Sequence, residues 1–123
     1  MKAALFVALM LCACPPGRSD DAEPAHFSEK GIASWYAESR LTASGEKYRA
    51  SSLTAAHRTL PMGTMVKVTN LSTNCVTIVR INDRGPFIKG RIIDVSKAAA
   101  QQLKMIGSGT ASVQIELAGL AER

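Results

Sequence analysis

Residues 75–87 read Cys-Val-Thr-Ile-Val-Arg-Ile-Asn-Asp-Arg-Gly-Pro-Phe. The first eight, 75–82, are rich in β-branched side chains and predict a strand, with Cys75, Thr77, Val79 and Ile81 on one face and Val76, Ile78 and Arg80 on the other. The rest breaks into Asn, Asp, Gly and Pro, the composition of a tight loop at a strand end. Asp83 in such a loop has two readings. It is an Asx-turn residue bonded to nearby backbone, or an acid at the mouth of a barrel, where sites commonly sit. Outward from this tract, further short strands are expected over 31–36, 53–57, 64–70 (TMVKVTN, alternating), 91–95 (RIIDV) and 111–117, where Val113, Ile115 and Leu117 share a side. Only 96–105 (SKAAAQQLKM) reads as a helix, with Ser96 as cap and Gly107 beyond its end. Six short strands and one short helix define an all-β chain, a small closed β barrel. Gly63-Thr64 and Gly109-Thr110 each precede a strand, a faint echo of two similar halves.

The 123 residues hold 46% apolar and 20% charged side chains. This is ordinary globular composition for one domain, so disorder throughout is excluded. No apolar run reaches the roughly 18 residues of a spanning helix, which excludes a polytopic membrane protein. Three cysteines (Cys12, Cys14, Cys75) are too few for a disulfide scaffold. The N-terminus has the anatomy of a secretory signal: Lys2, then a continuously apolar stretch over 3–11, then small residues. Leu11-Cys12-Ala13-Cys14 is similar to the bacterial lipobox. Cys14 fits as the lipidated residue, and Cys12 does not, because Leu11 would fill the position that must be small. An ordinary cleaved signal with two incidental cysteines is the other reading. Residues 1–13 are therefore expected to be a lipoprotein signal peptide. Pro15 after the cysteine favours a lipid anchor in the outer membrane, facing the periplasm, within the cell envelope.

Residues 14–30 carry three prolines and no apolar period and are expected to be a disordered tether to a domain over 31–123. That domain holds twelve basic and six acidic residues, a balance of +6. Excess positive charge points to an acidic polymer; in an exported chain this means the cell wall rather than nucleic acid. Its acid/base groups are few, chiefly Glu46 in Thr42-Ala43-Ser44-Gly45-Glu46, His57 at the end of Leu53-Thr54-Ala55-Ala56-His57, Asp83 and Asp94. They have no metal-ligand spacing, and no serine-elbow, phosphate-loop or dinucleotide motif is present. Neither metal nor cofactor is expected. Cys75 reads as a small barrel residue with no disulfide partner.

The motifs ASWY, TASGE, TAAH-x-TLP-x-GT-x-V-x-VTNL, INDRGPF and GRIIDVS-x-AAA occur in order over about residues 31–118. Together they resemble the rare lipoprotein A family of septal lytic transglycosylases. The resemblance implies a six-stranded double-psi β barrel and cleavage of peptidoglycan between N-acetylmuramic acid and N-acetylglucosamine, preferably in peptide-poor glycan. It places the catalytic acid on Asp83, a supporting acid on Glu46 and the histidine on His57. Such an enzyme needs one acid that protonates the leaving oxygen and then takes the proton of the muramic 6-hydroxyl, giving a 1,6-anhydro end; ordinary glycosidases generally use two carboxylates. The acid must keep its proton near neutral pH, through burial or a like charge such as Glu46 or Asp94. Arg84 is expected to face the polymer or pair elsewhere. Trp35 and Tyr36 either stack on a sugar ring or fill the core. Asp94 is a further substrate-side acid and rival to Asp83, or else a cap for the helix near Ser96.

Two features depart from the family pattern. Residues 37–41 (AESRL) are shorter than the usual loop bordering the groove. The SPOR-type C-terminal domain of many members is not expected in this chain. The alternatives to the enzyme are an expansin-like, non-catalytic peptidoglycan-binding lipoprotein and a non-enzymatic interaction lipoprotein.

Overall fold

The structure is a computed structural model in which residues 27–37 and 41–119 are described. The signal peptide, Cys14 and most of the tether expected from the sequence lie outside those residues. Six strands follow in chain order: β1 (Ser28–Tyr36), β2 (Thr54–Ala56), β3 (Met65–Asn70), β4 (Val76–Asp83), β5 (Arg91–Ser96) and β6 (Thr110–Gly119). One helix, α1 (Lys97–Gln102), lies between β5 and β6. The strands close into a barrel in the order β1-β5-β2-β4-β3-β6. Two pairs, β1/β5 and β2/β4, are parallel, and the other four are antiparallel. Exchanging β1, β2, β3 with β4, β5, β6 swaps β1/β5 with β2/β4 and β1/β6 with β3/β4, each of the same sense, and leaves β2/β5 and β3/β6 in place, so the two halves are topologically equivalent. The Gly-Thr echo marks equivalent places: Gly63 (φ 94°) and Gly109 (φ 79°) sit in the left-handed region just ahead of β3 and β6.

Alternation sets the core. Val66, Val68, Val79, Ile81, Ile93, Val95, Val113 and Ile115 are fully buried, the even spacing that period-2 side chains demand. In β4 and the residue before it, Cys75, Thr77, Val79 and Ile81 are buried while Ile78 is exposed, as their spacing predicts. Ala99, Ala100, Leu103 and Met105 of α1 and its exit join the same core cluster. Ser96 caps the helix: its Oγ accepts from the Ala99 amide and donates to the Ser52 carbonyl. The Asn70 side-chain amide donates to the Leu103 carbonyl at the far end (2.8 Å), satisfying an orphan acceptor.

Three differences from the sequence reading stand out. Strand β1 begins at Ser28, three residues inside the expected tether, because Ser28, Glu29 and Lys30 find ladder partners in Glu116, Ile115 and Gln114 of β6. The helix is shorter than 96–105, closing at Gln102 with Leu103 as C-cap. Cys75 is disulfide-bonded, with its partner outside the described residues, where the sequence reading left it unbridged.

Candidate active site

Asp83 is the last residue of β4 and is 4% exposed. Its Oδ1 accepts from two backbone amides, Ala43 (2.8 Å) and Arg84 (2.9 Å). The Ala43 bond joins the two tracts that polar and glycine residues mark in the sequence. Residues 42–46 close on themselves as a tight turn: the Thr42 amide donates to the Glu46 carbonyl, the Gly45 amide to the Thr42 carbonyl, and the Thr42 hydroxyl also donates to the Glu46 carbonyl. The turn then docks on β4, where the Ser44 amide donates to the Asn82 carbonyl.

Glu46 does not stand beside Asp83 as an uncompensated like charge. Both its oxygens bind Arg80, Oε1 to Nη1 at 3.0 Å and Oε2 to Nη2 at 2.8 Å, the bidentate geometry that favours guanidinium over ammonium. The hydrogen bonds from Arg80, helped by Asn82 and Ser44, outweigh burial and lower the Glu46 carboxyl from 4.5 to about 2. The expected role of Glu46 as a neighbouring charge that keeps Asp83 protonated is thus corrected, because its charge is matched by Arg80. Arg80, which the sequence marks only as a residue on the outward face of the strand, lies 34 positions from its partner. A folded-state pKa below the unfolded one means the pair stabilises above about pH 4.5 and loses that contribution as pH falls towards 2. The side chains are 38% and 41% exposed, so screening limits the pair to roughly 0.5–1 kcal/mol. Urea unfolding of wild type and Arg80→Gln at pH 6 and pH 2.5 checks this. The variant should be less stable at pH 6, and the gap should narrow at pH 2.5.

His57 follows β2 and is 4% exposed. Its Nδ1 accepts from the amides of Thr59 (3.1 Å) and Leu60 (3.2 Å), so the ring hydrogen is on Nε2, which donates to Glu29 Oε1 at 3.0 Å. Phe27 packs edge-on against the ring. The His57 backbone amide donates to the Asp83 carbonyl (3.2 Å). Both ring nitrogens are engaged, so the arrangement suits positioning and not proton relay. Arg84 turns inward: its Nη1 donates to the carbonyls of His57 (3.1 Å) and Leu60 (2.7 Å). This corrects its expected place facing the polymer and fits the other expectation, that it pairs elsewhere.

Asp94 accepts a hydrogen bond from Ser34 Oγ, while Ser96 and not Asp94 caps α1. Asp83 and Asp94 both pair across Ala56, on β4 and β5 respectively. Two strand spacings put their backbones about 10 Å apart. Trp35 packs against the core cluster, the core-filling alternative of the sequence reading. The Tyr36 ring stacks on Tyr48 at 4.6 Å. The aromatic ring most open to solvent beside the site is Phe87, 74% exposed. It lies against Gly85, where an added Cβ would be 3.5 Å from the ring. Among the described residues, no three His, Cys, Asp or Glu side chains converge as a metal site would require.

The lytic transglycolase family pattern matches residues 28–115. The chain belongs to this family. A Campylobacter jejuni protein named endolytic peptidoglycan transglycosylase RlpA is 56% identical over 92 residues, covering 72% of this chain and 34% of the relative. A Pasteurella multocida protein of the same name is 52% identical over 98 residues, 77% of this chain and 33% of that one. The chain thus spans about a third of the length of the curated relatives it matches. Among solved structures, the Streptomyces papain inhibitor superposes with a TM-score of 0.63 at 22% identity, covering 78% of this chain and 98% of that one. A Clavibacter michiganensis expansin gives 0.59 at 17% identity, over 74% and 50%. These two likenesses concern the fold, and family and topology agree on a double-psi β barrel.

Proposed function

We propose that this lytic transglycolase domain cleaves peptidoglycan glycan strands between N-acetylmuramic acid and N-acetylglucosamine, leaving 1,6-anhydro ends. The observation that carries the reading is the buried Asp83 carboxyl, clamped through Oδ1 by the Ala43 and Arg84 amides where two loops meet. The names of the relatives point to the same chemistry. An oxygen that accepts two N–H groups does not carry the acidic hydrogen, so in the acid form the proton sits on Oδ2. That proton passes to the glycosidic oxygen as its bond to C1 breaks. The carboxylate then takes the proton of the muramic 6-hydroxyl as that oxygen bonds to C1. The proton on Asp83 is restored and no water is consumed. Glu46, His57 and Arg84 hold the loops around the acid. Asp94 and the exposed Phe87 ring border the same end of the barrel and offer a carboxylate and a stacking face to the glycan.

The test incubates the purified chain with peptide-free glycan strands and looks for 1,6-anhydro ends by mass spectrometry. Sacculus binding without such ends would make the domain an expansin-like binder.

The lipoprotein reading belongs to the same proposal: in the processed chain Cys14 carries the lipid and tethers the basic barrel to the outer membrane, facing the wall. Processing removes Cys12 and acylation occupies the Cys14 sulfur, so under this reading the Cys75 bridge belongs to the unprocessed chain. Each buried CH₂ adds about 0.8 kcal/mol, so several acyl chains hold it stably. A clickable fatty acid should label the wild type and leave Cys14→Ser unlabelled; equal labelling of both would defeat the anchor.

A further inference from the structure

The hydrogen bonds around His57 form a continuous path from the start of β1 to the Asp83 carboxyl. Glu29 Oε1 accepts from His57 Nε2 at 3.0 Å. That bond holds the ring so that Nδ1 accepts the Thr59 and Leu60 amides, at 3.1 and 3.2 Å. The turn so fixed presents the carbonyls of His57 and Leu60 to Arg84 Nη1, at 3.1 and 2.7 Å. Arg84 in turn donates its own amide to Asp83 Oδ1 at 2.9 Å. A second link runs directly from the His57 amide to the Asp83 carbonyl. Every member of the path makes its bonds within the protein. Glu29 is partly exposed, with a side chain at 32%, whereas the His57 side chain is at 5%, so Glu29 is the solvent-side end of a buried network.

We infer that Glu29 is a positioning residue: through His57 and Arg84 it sets the rotation and depth of the Asp83 carboxyl. The inference rests on the proposed role of Asp83 and adds a residue that neither the family motifs nor the spacing of charges marks. A carboxylate that accepts from one ring nitrogen fixes the tautomer and the orientation of a histidine. Glu29 occupies the second position of β1, opposite Ile115 of β6, so the start of β1 is built into the site's support.

Two readouts on the purified full chain test it. The first is the His57 tautomer, read from ring ¹⁵N shifts. Wild type and Glu29→Gln should hold the hydrogen on Nε2, since the glutamine oxygen still accepts it. Glu29→Ala should show exchange between tautomers. The second is anhydro-end release: kcat of Glu29→Ala should fall roughly ten- to a hundredfold, the scale of slight misplacement of a reacting group, with KM little changed and Glu29→Gln within about threefold of wild type. A Glu29→Ala chain that melts lower but keeps its kcat, or a His57 signal unmoved by the change, would overturn the inference. Should wild type itself release no anhydro ends, the activity reading falls and the tautomer comparison alone decides whether the path exists.

Discussion

Asp83→Asn should reduce the release of 1,6-anhydro ends by at least 10²–10⁴-fold, the range typical of removing a general acid/base. The substitution is nearly isosteric, and the amide oxygen can still accept the Ala43 and Arg84 amides that now bind Oδ1 at 2.8 and 2.9 Å. The loop junction therefore survives while the exchangeable proton is lost. Melting temperature and binding to purified sacculi should stay near wild type. The informative control is Asp94→Asn. Asp94 accepts from Ser34 Oγ on the neighbouring strand, about 10 Å of backbone from Asp83, and its loss should weaken cleavage less. An active Asp83→Asn beside a dead Asp94→Asn would exchange the two roles.

The contrast between these two acids shows which parts of the molecule can be read along the chain. Strand β4 is legible because its β-branched residues alternate, and burial of Val79 and Ile81 against exposure of Ile78 follows from period 2 alone. The helix start is legible because Ser96 has the right side chain for a cap. The meeting of residues 42–46 with the end of β4 is a different matter. It depends on a hydrogen bond spanning 40 positions, and no local pattern encodes it; only the family motifs place Glu46 and Asp83 together. The same motifs leave out what surrounds them. Arg80 reads as an outward strand residue and becomes the partner that neutralises Glu46. Glu29 sits in a proline-bearing tract that composition assigns to a tether, and only the pairing of β1 with β6 brings it into the barrel. Charged partners distant in sequence are set by strand order, which periodicity does not determine.

Ile81→Ala should be the most destabilising of the changes considered, by about 2–5 kcal/mol. Ile81 is fully buried two residues before Asp83, opposite Ala55 of β2. Its backbone is tied at both ends to the turn before β3: the Gly63 amide donates to its carbonyl at 2.7 Å, and its amide donates to the Thr64 carbonyl at 2.9 Å. These clamps hinder the barrel from collapsing around the lost side chain, so a cavity remains and the cost falls toward the upper half of the range. In a domain of this size each kcal/mol lowers the melting temperature by roughly 4–8 °C. The fall should be on the order of 15–40 °C by calorimetry. Ile78→Ala on the same strand removes the same atoms from a side chain that is 42% exposed, and should cost only about 0.5 kcal/mol. The pair reports on register as well as packing. A one-residue slip of β4 would turn Ile78 and Arg80 inward and carry Asp83 off the face on which the Ala43 amide meets it. Equal losses at positions 78 and 81, or a larger loss at 78, would mean that β4 pairs in another register, and the site built at its end would have to be redrawn.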